Sequence, residues 1–137
     1  MSQARIRLLL ADDHEELLQQ VTKLLASEFD IVGTVRDGAT LLETAAALRP
    51  DVVVADLKMP KLNGIDAGRK LLELKLCKAV VLLTIYGDPQ LAKTALESGI
   101  RGFVLKGNAG EELIPAVYTT LKGGTFVSSE IGLNPLP

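Results

Sequence analysis

Five short runs of Val, Ile, Leu and Ala recur along the 137 residues, and a stretch of helical periodicity follows each of them. Ile6 to Ala11, Ile31 to Val35, Val52 to Ala55, Ala79 to Thr84 and Gly102 to Leu105 are predicted strands. Several are nearly continuous aliphatic runs, the pattern of parallel strands buried on both faces. The segments between them are predicted helices of roughly 10 to 15 residues; the first, Glu15 to Ser27, places Leu17, Leu18, Val21, Leu24 and Leu25 at helical spacing. Punctuation agrees. Asp37-Gly38 opens the second helix with Asp37 as its cap, and Pro50 closes it. Gly99 follows the fourth helix and Gly123-Gly124 the fifth, as left-handed caps.

A βα unit repeated five times with right-handed crossovers predicts an α/β fold, an open five-stranded parallel sheet with helices on both faces. Its expected strand order is 2-1-3-4-5, since a closed barrel needs about 250 residues. Ligands of such sheets bind beyond the carboxyl ends of the strands, where strand order reverses. Here that point lies between the first and third strands.

Composition narrows the classes further. A hydrophobic content of 47% supports one compact domain, and a net charge of −2 gives no reason to expect nucleic acid or an anionic membrane as a direct partner. No apolar run reaches the roughly 20 residues of a membrane span. The N-terminal apolar stretch runs straight into an acidic cluster, unlike a signal peptide. The single cysteine, Cys77, excludes an internal disulfide framework. A cytoplasmic protein is expected.

The first strand ends in Asp12-Asp13, the third in Asp56, the fourth in Thr84 and the fifth in Lys106. Singly, each has an ordinary reading: a helix cap, a strand residue, a solvated lysine. Jointly they bring three carboxylates, a hydroxyl and an ammonium to the edge where this fold binds ligands. Crowded carboxylates repel unless a cation sits among them, and an all-oxygen set favours Mg²⁺. A carboxylate beside Mg²⁺ can attack phosphorus and form an acyl phosphate, a reaction that needs mainly positioning and charge neutralisation. Lys106 adds positive charge and Thr84 a neutral donor.

The segments LLLADDHEELL, VVVADLKMPKLNGIDA, VVLLTIYGD and GFVLKGNAGEEL resemble the receiver domain of bacterial response regulators, from about Ile6 to Gly124. GFVLK, EELIPAV and KGGTFVSSEI are most similar to the NarL/LuxR class. The resemblance implies a flavodoxin-like, doubly wound (βα)5 fold over residues 1–124, with 125–137 a tail or linker to a helix-turn-helix output domain. It implies that Asp56 accepts a phosphoryl group from a sensor histidine kinase. Asp13 and Asp56 then ligate Mg²⁺ directly, with the Lys58 carbonyl, and Asp12 acts through water. Lys106 pairs with the phosphoaspartate, Thr84 turns towards it, and Phe103 takes the place of the switch aromatic. A phosphorylation-dependent homodimer is expected, with DNA reached only through the output domain. The chain is expected to modify itself rather than act as a turnover enzyme.

Phe103 stands where Tyr is frequent, so without a hydroxyl it can only pack in or out. Ile85 stands where a small residue is frequent, and Gly107 where Pro is frequent, which leaves the isomer of the 106–107 bond open. His14, the only histidine, reads as a first-turn surface residue or, beside the acidic pair, a residue that tunes the metal site, and Cys77 reads as a structural thiol. Tyr86 is either a partly buried loop aromatic or, with Lys58 and Ile85, a modulator of access to the phosphate. Rival readings are weaker. A flavin carrier needs a Ser/Thr/Gly-rich phosphate loop where this chain has Asp-Asp-His-Glu-Glu. An aspartyl phosphatase places its second carboxylate two residues on, and here the two are adjacent. A receiver working without phosphorylation is disfavoured because every chemical residue is present.

Overall fold

Each strand of the sheet sends alternate side chains into two separate cores, which is why the strand sequences lack a polar face. In a computed structural model, residues 5–85 and 87–128 are described. The strands are β1 (Arg7–Ala11), β2 (Asp30–Val35), β3 (Val52–Asp56), β4 (Ala79–Thr84), β5 (Gly102–Leu105) and β6 (Phe126–Val127). The helices between them are α1 (Glu15–Ala26), α2 (Gly38–Leu48), α3 (Gly64–Glu73), α4 (Pro89–Glu97) and α5 (Ala109–Leu121). Every pairing is parallel, in the order β2-β1-β3-β4-β5-β6.

One core holds Leu9, Val53, Val80, Leu82 and Phe103 against Leu41, Ala67, Leu71, Ala92 and Ala95, on the side of α2, α3 and α4. The other holds Leu8, Leu10, Val54, Val81 and Val104 against Leu18, Val21, Leu25, Leu113 and Val117, on the side of α1 and α5. The odd–even split along β1 is the period-2 geometry of a strand covered by helices on both faces.

The expected doubly wound sheet is present, with one addition. Phe126 and Val127, read from sequence as linker, pair with Gly102 and Phe103 as a sixth strand. A two-residue strand is too short for a periodicity to register. Smaller differences lie at element ends. β1 begins at Arg7, β2 at Asp30 and β3 runs on through Asp56, while α1 stops at Ala26.

Asp37 caps α2, its carboxylate accepting from the Thr40 amide at 2.8 Å. Arg49, in the left-handed region (φ 51°), ends that helix just before Pro50. Gly99 and Gly123 have φ of 93° and 90°, as left-handed caps require, whereas Gly124 does not. The peptide between Lys106 and Gly107 is not cis. No helix among the described residues is long and apolar enough to cross a membrane.

Candidate functional site

Parallel pairing brings the carboxyl ends of β1, β3, β4 and β5 to one edge, and the charged residues of the sequence follow there. Asp12 leaves β1 with its amide donating to the Val35 carbonyl at 3.1 Å. Its Oδ1 accepts the His14 amide at 2.9 Å, which turns the chain into α1. Asp56 is the last residue of β3 and, like Asp12, is buried. Lys106 opens the single 3₁₀ turn (Lys106–Asn108) after β5. Its Nζ lies 3.1 Å from Asp12 Oδ2 and 3.3 Å from Asp56 Oδ2, with all three side chains less than a tenth exposed. One ammonium therefore joins two elements whose carboxylates would otherwise repel.

Burial, and then the nearby Asp12 charge, hold the Asp56 carboxyl above its ordinary value, while Lys106 and the Lys58 amide N–H oppose the shift. Asp13 is partly exposed, yet its Oδ1 is buried and accepts no hydrogen bond. His14 Nδ1 stands 3.1 Å from that oxygen and 3.4 Å from Asp12 Oδ1, outside hydrogen-bond geometry for Asp13. Asp12, Asp13, His14 and Asp56 each offer one donor atom, all within 4.8 Å of one another. Three carboxylates, one of them with an unsatisfied buried oxygen, fit a hard divalent cation such as Mg²⁺.

Asp12, Asp13, Asp56 and Lys106 are thus brought together. Thr84, at the end of β4, is buried at the same edge, where its strand pairs Leu83 with Asp56. Lys58 is exposed beyond β3, and Ile85 is 67% exposed. Phe103 lies fully buried in the core that also holds Ala92 and Ala95. Tyr86 lies outside the described residues. His14 is at the surface, as read from the sequence, and also stands beside the acidic cluster. Its side chain is 71% exposed, as a first-turn residue should be, and adjacency to Asp12-Asp13 was the only signal of its second contact.

The family model of the response regulator receiver domain matches residues 8–118. The transcriptional regulatory protein DegU of Brevibacillus brevis is 30% identical over 136 residues, covering 98% of this chain and 58% of that protein. LnrK of Bacillus subtilis is 33% identical over 129 residues, 92% of this chain and 58% of its own length. The chain therefore spans less than two thirds of these curated relatives. The solved receiver domain of NarL from Mycobacterium tuberculosis superposes with a TM-score of 0.82 at 29% identity, covering 88% of this chain and 99% of that one. On the extent of that match, the chain belongs to the response regulator receiver family, whose place is in two-component signalling.

Proposed function

We propose that Asp56 is the phosphoryl acceptor and that the donor is a phosphohistidine on a sensor kinase. The observation that carries this reading is the position of Lys106 Nζ between the Asp12 and Asp56 carboxylates at the carboxyl ends of β1 and β3. An Asp56 oxygen forms the new P–O bond as the donor's P–N bond breaks and the imidazole departs. Lys106 stays beside Asp56 and takes up part of the charge on the transferred oxygens. Thr84 supplies a neutral donor from the neighbouring strand. Asp13, Asp56 and the Lys58 carbonyl would hold Mg²⁺ directly, and Asp12 through water. The cation supplies the charge that lets three carboxylates and a phosphoryl group share one edge.

The phosphoryl group adds charge and strong acceptors, which draw Thr84 and Lys106 towards Asp56. Movement of Thr84 leaves room for Phe103, and the surface of α4, β5 and α5 changes with it. That change promotes homodimerisation. It reaches DNA through a helix-turn-helix domain joined by a linker that follows β6 rather than starting at residue 125. Lys58 and Ile85, exposed beyond the ends of β3 and β4, shield the phosphoaspartate from hydrolytic water, so it is long-lived. A Lys58→Asn variant should then lose its phosphate faster than wild type.

Intact mass after incubation with acetyl phosphate and Mg²⁺ tests the assignment. Wild type should gain a single acid-labile phosphoryl group. Asp56→Asn should gain none, and Asp13→Ala should lose the Mg²⁺ dependence and most of the rate. Undiminished labelling of Asp56→Asn would overturn the reading.

A further inference from the structure

Ser128, immediately after β6, is almost completely buried, an unusual state for a serine. Its burial is matched by a full set of partners. The Ser128 amide donates to the Phe103 carbonyl at 3.0 Å, continuing the pairing of β6 with β5. The Leu105 amide donates to Ser128 Oγ at 3.0 Å, and that hydroxyl in turn donates to a carboxylate oxygen of Glu112. A hydroxyl offers one proton and two lone pairs, so one small side chain here serves both as acceptor and as donor.

The two partners flank one turn. Leu105 ends β5 immediately before Lys106, and Glu112 lies in the first turn of α5, just after the Lys106–Asn108 segment. Ser128 therefore clamps both ends of the turn that carries the lysine between Asp12 and Asp56. Gly107, which adds no side chain to hold the turn, makes an external brace more consequential.

We propose that Ser128 is a positioning residue for Lys106, acting through the Leu105 amide and the Glu112 carboxylate. This rests on the phosphorylation of Asp56 proposed above. Its corollary is that the chain leaving the receiver is tied by Ser128 to the β5 end, so displacement of Lys106 is felt at residue 128 directly. Glu112→Gln keeps an oxygen acceptor for the hydroxyl and preserves the clamp, whereas Glu112→Ala and Ser128→Ala open it.

The test is a double-mutant cycle on the rate of acetyl phosphate labelling in Mg²⁺. Ser128→Ala and Glu112→Ala should each slow labelling by roughly three- to tenfold, the scale of a small misplacement of a catalytic group. Glu112→Gln should stay within twofold of wild type. In a Lys106→Ala background, Ser128→Ala should have no further effect, because its route to the reaction is gone. An equal loss in both backgrounds would mean that Ser128 merely stabilises the fold, and would overturn the proposal. Backbone ¹⁵N relaxation of residues 105–108 is a second readout that needs no phosphorylation. Ser128→Ala should raise the mobility of these residues, and an unchanged turn would also overturn the proposal. Should wild type fail to label at all, the phosphorylation reading falls, while the relaxation data still decide whether the clamp exists.

Discussion

Asp56 pays for its position in the unphosphorylated state. Burial and the Asp12 charge raise its carboxyl above the ordinary value, so the native state binds this proton more tightly than the unfolded chain does. Stability from this group is therefore fully present below the unfolded value near 3.8 and is lost as pH rises through the raised native value. Asp56→Asn removes the deprotonation cost. In EDTA at neutral pH the variant should melt several degrees above wild type by calorimetry, and the gap should close as pH falls towards 4. Mg²⁺ should narrow it too, because only wild type keeps its full ligand set. A variant that melts below wild type at pH 7 would show that the site is not strained in this way. Cys77 makes the opposite case of a quiet residue. Burial pushes its thiol up to about 12, so it is protonated at any ordinary pH. A disulfide-exchange reagent should label it at least about tenfold more slowly in native than in urea-unfolded protein, since the thiolate is the nucleophile.

At the scale of elements, the junction of β3 with α3 is set by close backbone packing. Gly64 begins α3 with its amide donating to the Leu57 carbonyl at 2.8 Å. A Cβ at Gly64 would fall 2.4 Å from the Asp56 carbonyl oxygen, a contact that only displacement of the backbone can relieve. Gly64→Ala should cost about 1 to 3 kcal/mol in urea unfolding and should also slow labelling of Asp56, because the atom it strikes belongs to the proposed acceptor residue. Loss of stability with labelling unchanged would show that the clash is absorbed by α3 alone. The sequence does not single out this junction, since a glycine states its own freedom and not what lies opposite it. The same limit explains what else was legible. Asp12, Asp13, Asp56, Thr84 and Lys106 could be read together because parallel strands force their carboxyl ends to one edge. Phe103 could be placed on β5 but not turned in or out, since both orientations suit a strand covered on both faces. Ser128 and β6 could not be read at all. Their role comes from a long-range return of the chain to β5, which no local period records.

Across the whole molecule, apolar anchoring is uneven, and this decides which helix is free to respond. α1 buries Leu18, Val21 and Leu25, and α5 buries Leu113, Ala116 and Val117. α4 buries only Ala92 and Ala95. Each missing methylene forgoes about 0.8 kcal/mol of transfer free energy, so α4 is held several kcal/mol more weakly than α1. Its two alanines lie in the same core as Phe103, which is on β5, the strand that leads into Lys106. In the switch proposed above, this weak anchoring in the core that holds Phe103 would let a small motion at Thr84 and Lys106 become a rearrangement of one helix while the sheet stays fixed. Hydrogen exchange read by mass spectrometry should find Pro89–Glu97 the least protected of the five helices in the unphosphorylated protein, by roughly tenfold or more relative to α1. Acetyl phosphate with Mg²⁺ should change protection there and along β5 more than in α1 or α2. Phe103→Leu, which keeps an apolar side chain but shortens it, should lower α4 protection at once and shrink its further change on phosphorylation. If α4 in wild type exchanged as slowly as α1, the weak-anchor account would fail even with Asp56 fully phosphorylated.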